Sequence, residues 1–235
     1  MIARAADAGV QRMLVAGWDV PSSVAAVELA VRHPGVVDAA VGIHPHNAVD
    51  ADERSWETLA ELTGERGVLA VGEIGLDFHR HHSPRDVQRD VLARQLDLAA
   101  RRSLPVVVHD RDAHAEVTAT LLAWRPSIGR DVAGILHCFS GDAEMATTLA
   151  AAGFLVSFAL PVSFSSAHQQ RRAAALLPGG SFVTETDSPW LGPGRDRRNE
   201  PTTVLRVAAE LAHLRGVDID QIAGEVARAY ARVGT

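Results

Sequence analysis

Residues 68–109 read VLAVGEIGLDFHRHHSPRDVQRDVLARQLDLAARRSLPVVVH. Two short, nearly continuous apolar runs, VLAVGEIG (68–75) and PVVVH (105–109), bracket one long amphipathic segment. Runs of that kind suit strands buried on both faces. Between them, Val87, Val91, Leu92 and Leu96 recur at helical spacing. Ser83 is placed to cap this helix, with Pro84 at its first position and Asp86 completing a capping box. Strand, helix, strand in this order is the parallel βαβ unit.

The same alternation continues in both directions. RMLVAGW (12–18) and VVDAAVGI (36–43) precede the stretch, and VAGILHCF (132–139), FLVSFA (154–159) and FVTET (182–186) follow it. Alanine-rich helical segments lie between them, so seven parallel strands are expected. The later strands end near His44, Glu73, His109, His137, Ser157 and Asp187, at intervals close to the ~30 residues of a βαβ repeat. No Gly-rich GxGxxG turn follows the first strand, which disfavours a doubly wound dinucleotide-binding sheet. The expected fold is an α/β, TIM-type (β/α) barrel. Such barrels have eight strands in about 250 residues; this chain has 235 residues and is one strand short. No linker, charge block or low-complexity stretch divides it, so one domain over residues 1–235 is expected.

Composition narrows the function classes. The chain is 47% hydrophobic, enough for a sizeable core. It holds no apolar run of membrane-spanning length, and MIARAADAGV at the front lacks a signal-peptide apolar region. A single cysteine, Cys138, excludes an internal disulfide and suits the cytoplasm. Nothing points to an obligate protein partner. The formal net charge is -6, without the basic surface of most nucleic-acid binders. Contact with a phosphodiester must then come from local basic residues or from metal ions.

Barrel active sites form at the C-terminal ends of the strands. Here those ends carry metal-ligand residue types: His44 and His46 in GIHPH, Glu73 and Asp77 in VGEIGLDF, His109 in VVVHD, His137 in ILHCFSG, and Glu185 and Asp187 in TETDSPW. Any one of these has an ordinary structural reading. A histidine at a strand end is most often a hydrogen-bonded structural group, Glu73 could cap a helix, and Asp187-Ser188-Pro189 could be a turn. The set is harder to explain, because buried carboxylates and imidazoles are costly unless paired or metal-bound. Mixed His and carboxylate ligands suit Zn, Mn or Mg, and a bridging carboxylate suits a two-metal hydrolytic site. His79, His81 and His82 fall in a polar loop and are expected to face solvent. His33 sits at a helix end, while His114, His168 and His213 read as surface residues. Cys138 should lie on the strand face opposite His137, as a packed thiol.

In order and spacing, GIHPH, VGEIGLDF, SPRDVQ, QLDLAARRSLPVVVHDRDA, LHCFSG, TETDSPWL and RRNEP resemble the TatD family of metal-dependent deoxyribonucleases. The likeness covers the whole chain and implies a barrel with two divalent ions, Mg, Mn or Zn. In such a site Glu73 bridges the ions, His109 and His137 hold one of them, and Asp187 holds the other and acts as base on the attacking water. His44 or His46 contacts the scissile phosphate of a DNA substrate. Asp77, Glu185, Arg198 and Asn199 fall behind the ligands or at the substrate rim. For RRNEP a helix start at Pro201 is an equal alternative.

The family opens with a strand carrying a pair of histidine ligands two residues apart. MIARAADAGV resembles the helix after that strand, so the first strand is expected to be missing and the second ion to keep only Glu73 and Asp187. Two rival readings follow. One uses the same metals on an ester, lactone or amide bond, since a fold does not fix its chemistry. The other is a truncated barrel serving as an inactive binding module.

Overall fold

The structure is a computed structural model and describes residues 1–192, 194 and 198–235. In chain order the elements are α1 (Ile2–Asp7), β1 (Met13–Ala16), α2 (Val20–Arg32), β2 (Val37–Val41), α3 (Glu53–Leu62), β3 (Val68–Asp77), α4 (Arg85–Arg102) and β4 (Val106–Arg111). Then come α5 (His114–Trp124), β5 (Gly134–Leu136), α6 (Ala143–Ala151), β6 (Phe154–Phe158), α7 (His168–Leu176), β7 (Phe182–Thr184), α8 (Val204–Arg215) and α9 (Ile219–Ala231). All seven expected strands are present. Backbone proximity divides the chain into two compact units, residues 12–135 and residues 1–11 with 136–235.

In the first unit β1, β2, β3 and β4 pair in that order, all parallel. The interior of β2 is Val37, Ala39, Ala40 and Val41, all buried, so both of its faces are covered. Small residues dominate because neighbouring backbones approach closely. A Cβ on Gly72 would lie 2.5 Å from the Val107 Cβ, and one on Gly75, where φ is +140°, would lie 1.9 Å from the His109 carbonyl oxygen. Only glycine fits there. Between those two glycines the β3–β4 register slips: Val71 pairs with Val106 but Ile74 with Val108. Three steps on β3 thus match two on β4, the count of a β-bulge. Glu73 sits in that bulge, and its N–H leaves the β4 ladder to donate to the Gly17 carbonyl at 2.7 Å.

Helix α4 secures the strand ends from outside. Its buried stripe of Val91, Leu92 and Leu96 includes two buried glutamines, Gln88 and Gln95. Gln95 accepts from Ile43 N–H (2.7 Å) and donates to the Ile43 carbonyl (3.0 Å). Gln88 does the same for Asp77, at 2.8 and 3.0 Å. Each amide ties off main-chain groups beyond the ladder, where an unpaired buried group costs about 1–3 kcal/mol. The expected helix start needs correction. α4 begins at Arg85, with Pro84 at its N-cap and no side-chain cap. The Ser83 hydroxyl is buried and instead accepts from Val49 N–H and donates to the His46 carbonyl.

In the second unit β6 and β7 pair in parallel, with Val156 beside Phe182 and Phe158 beside Thr184. Phe154, Phe158 and Phe182 fill its core with Leu149, Leu177 and Leu211. Arg4 reaches Glu200 through two hydrogen bonds of 2.7 and 3.1 Å, tethering α1 to the loop before α8. Among the described residues no helix is long and apolar enough to cross a membrane.

Candidate metal centre

In residues 12–135, His44 lies three residues past the end of β2, Glu73 projects from the β3 bulge, and His109 lies in β4 opposite Gly75. Their ligand atoms all fall within 4.8 Å of one another. Glu73 Oε1 is 3.0 Å from His109 Nδ1 and 3.5 Å from His44 Nε2. The His44 and His109 ring centroids are 4.4 Å apart.

Asp77 stands behind these groups. It is buried, and its Oδ2 meets His46 Nε2 at 2.7 Å and His109 Nε2 at 3.2 Å. Its Oδ1 accepts from the N–H groups of His79 (2.9 Å) and Arg80 (2.7 Å). Burial alone would raise the Asp77 pKa, but hydrogen bonds from His109, Arg80 N–H and His46 outweigh it and hold the carboxyl well below the usual carboxylate range. Burial pushes the His46 imidazole below its ordinary value, against the opposing pull of Asp77. His109 therefore has a carboxylate at each ring nitrogen. A neutral imidazole has one N–H, so it can donate to only one of them. A cation shared by Nδ1 and Glu73, with Nε2–H donating to Asp77, satisfies every atom. That is the usual outer-shell arrangement of a metal-bound histidine, and the donor set fits a divalent ion.

A second group with the same logic lies in residues 136–235. His137 Nδ1 is 2.9 Å from Glu185 Oε2, and its Nε2 is 3.5 Å from Asp187 Oδ1. Glu185 is itself fixed, accepting from Cys138 N–H at 2.7 Å and from the Ser157 hydroxyl at 2.6 Å. Asp187 takes a left-handed backbone (φ +57°), which aspartate tolerates better than most residues. Asn199 holds the loop that bears it. It is 0% exposed, and its amide donates to the carbonyls of Thr186 (2.5 Å) and Leu191 (3.2 Å) while Oδ1 accepts from Glu200 N–H (2.9 Å).

The structure thus sorts the expected site residues. His44, Glu73 and His109 come together in one cluster, and His137, Glu185 and Asp187 in another. His46 and Asp77 back the first. Asp77 and Asn199 are too buried and too committed to main-chain partners to form a substrate rim, whereas Arg198 is exposed. Of RRNEP, Arg197 lies outside the described residues, and Pro201 does open a short 3-10 turn ahead of α8. His79, His81 and His82 are exposed, yet His82 packs on His46 with centroids 4.6 Å apart and His79 pairs with Asp112 at 3.0 Å. Cys138 lies beyond the end of β5 with φ +43°, so strand alternation does not set its direction. Ser157, Gln88 and Gln95 were not anticipated. The glutamines had a signal, polar residues within an apolar helical stripe; Ser157 stands at a strand end like the candidate ligands.

Asn199→Ala is expected to cost about 1–3 kcal/mol of stability through the orphaned carbonyls and to disturb the loop that carries Asp187, a candidate ligand. Thermal melting and metal titration check both effects. Unchanged metal affinity in a variant that melts lower would leave Asn199 a purely structural residue.

Imidazoles backed by carboxylates at the ends of parallel strands are the donor set of a divalent-metal centre in a (β/α) fold. The chain belongs to the TatD related DNase family, whose profile matches residues 1–233. It is 36% identical over 225 residues to the uncharacterized metal-dependent hydrolase YabD of Bacillus subtilis (strain 168), covering 95% of this chain and 87% of that protein. It is 35% identical over 235 residues to the 3'-5' ssDNA/RNA exonuclease TatD of Erwinia amylovora, covering 97% and 89%. The crystal structure of YjjV, a TatD homolog from Escherichia coli K12, superposes with a TM-score of 0.90 at 30% identity, covering 99% of this chain and 90% of that one. The fold class is accordingly the TIM-type (β/α) barrel of TatD homologues.

Proposed function

We propose that this chain is a metal-dependent nuclease hydrolysing phosphodiester bonds, with DNA foremost among its substrates. The observation that carries the reading is the His44–Glu73–His109 cluster, three convergent donors in a member of the TatD family. The name of the Erwinia amylovora relative supports a nucleic-acid substrate. The family profile, which runs through residues 1–233, supports one catalytic domain. A single cysteine accords with the cytoplasm.

The reading takes two divalent ions, with ligands drawn from Glu73 and His109 in residues 12–135 and from His137 and Asp187 in residues 136–235. Mg, Mn and Zn all suit these donors. Such an ion, when bound, supplies Lewis acidity toward a phosphoryl oxygen and lowers the pKa of a water. The remaining tasks belong to side chains. Glu73 faces both His44 and His109 and can serve as the bridging carboxylate. Asp77 holds His109 and His46 in orientation, and Glu185 does so for His137. Asp187 is the base that takes a proton from the attacking water. Contact with the scissile phosphate falls to His44, since His46 spends Nε2 on Asp77. Arg198, exposed, is suited to a more distant phosphate.

The test strips the protein with a chelator and restores it separately with Mg, Mn or Zn. Single-stranded DNA, single-stranded RNA, duplex DNA, a lactone and a carboxylic ester are then compared. Metal-dependent cleavage of DNA is the expected outcome. Faster turnover of the lactone or ester, with the oligonucleotides intact, would overturn the nuclease reading.

A further inference from the structure

We infer that Trp18 is a stacking platform for a nucleobase of a single-stranded substrate, set beside the His44–Glu73–His109 cluster; the inference rests on the nuclease reading. Trp18 is 52% exposed, and its indole N–H meets no acceptor among the described residues. Tryptophan is ordinarily well buried, with its N–H satisfied. Of the other three, Trp124 is buried and donates to the Leu96 carbonyl at 3.0 Å, half-buried Trp56 lies under the Arg94 guanidinium at 4.5 Å, and Trp190 is exposed like Trp18 but lies outside residues 12–135, which hold this cluster. Trp18 makes no comparable investment in the fold.

Its main chain is firmly held. The N–H donates to the Ser22 hydroxyl at 2.9 Å, and the carbonyl accepts from His44 N–H at 2.9 Å. The preceding carbonyl, of Gly17, accepts from Glu73 N–H at 2.7 Å. Asp19 and Ser22 close the turn as the capping box of α2. Gly17 itself admits no side chain, because a Cβ there would lie 2.2 Å from the Ser23 hydroxyl. The turn that displays Trp18 is therefore bonded directly to two residues of the metal cluster, and its position relative to them is fixed before any substrate arrives.

Charge points the same way. At a net -6 the chain lacks the basic surface that usually grips a phosphate backbone. Affinity for a single strand must then draw on contacts that do not need positive charge, and base–aromatic stacking is the principal one. An exposed indole, carried on a turn whose main chain is bonded to the groups proposed to meet the scissile phosphate, supplies it. The same stacking would favour single strands over duplexes, whose bases are already stacked on one another.

Trp18→Ala and Trp18→Tyr separate this role from a structural one, since the main-chain bonds of the turn survive in both. Binding of a fluorescein-labelled oligothymidylate is measured by anisotropy in chelator, alongside a backbone-matched abasic strand, and KM is measured with metal restored. Stacking of one base is worth roughly a 10-fold change in Kd. Trp18→Ala is expected to lose about that much on oligothymidylate, and Trp18→Tyr to recover most of it. Binding of the abasic strand should not change, and KM should rise in parallel with Kd. Equal losses on both strands, or none on oligothymidylate, would overturn the assignment while wild-type cleavage left the nuclease reading intact. A wild-type protein that neither binds nor cleaves any oligonucleotide would sink both.

Discussion

Glu73→Ala is expected to strip the metal held with His109 and to reduce DNA hydrolysis about a thousandfold or more, with the protein still folded. The magnitude follows from the several kcal/mol that metal coordination contributes to a hydrolytic transition state, at 1.36 kcal/mol per factor of ten. The position is sensitive because Glu73 Oε1 is the carboxylate oxygen facing both His44 Nε2 and His109 Nδ1. The fold should survive because the carboxylate projects from a bulge and is partly exposed, while the main-chain bond from Glu73 N–H to Gly17 does not need the side chain. Metal stoichiometry, circular dichroism and cleavage of labelled single-stranded DNA are compared in wild type and variant. Equal metal content and equal rate would remove Glu73 from the site. Glu73→Gln refines the reading: it keeps the shape and one oxygen but not the charge, so residual metal binding there would isolate the electrostatic part.

The strands were legible in the sequence because β-branched, doubly apolar runs have few other uses in a chain of this composition. Every expected strand forms, with ends trimmed or extended by a few residues, as from 68–75 to Val68–Asp77. The residue types of the candidate site were legible because histidines and carboxylates at successive strand ends are costly without partners. What the sequence did not separate was role. His44 and His46 are two residues apart and looked interchangeable. The structure turns His44 toward Glu73, while His46 is taken up by Asp77 and His82. That difference arises from a fold-level contact, Asp77 arriving from β3, which spacing within GIHPH cannot encode. For the same reason Asn199 and Asp77 could stand either behind the ligands or at the substrate rim: polarity was visible, but burial and main-chain partners depend on elements distant in sequence. Ser83 misled because a serine before proline matches a cap, yet its hydroxyl is drawn to Val49 and His46 across the turn. The glycines of VGEIG were a further signal. Glycine inside a strand marks a bulge or a close approach, and here two of them flank the residue that the bulge re-aims.

Gly75→Ala should be among the most damaging small substitutions in the chain, lowering stability by about 3–5 kcal/mol and disrupting the metal cluster with it. Two costs add. With φ at +140° the backbone is one that an alanine rarely adopts, and its Cβ would stand 1.9 Å from the His109 carbonyl oxygen, 2.8 Å from its carbon and 2.9 Å from its nitrogen. Those are main-chain atoms of β4, so no side-chain rotation relieves the overlap. The strands must separate or Gly75 must shift. Either change breaks the pairing of Gly75 with His109, the contact that places the His109 imidazole relative to Glu73. Gly35→Ala isolates the first cost, for Gly35 also has positive φ (+78°), but a methyl added there would meet nothing within 4 Å. It should lose only about 1–2 kcal/mol. Melting temperatures of both variants, with a divalent-metal titration of each, decide the matter. For a domain of this size each kcal/mol shifts the midpoint by roughly 2–4 °C, so the two should differ clearly. If Gly75→Ala melts like Gly35→Ala and binds metal as wild type does, then close backbone packing between β3 and β4 does not set the geometry of the site.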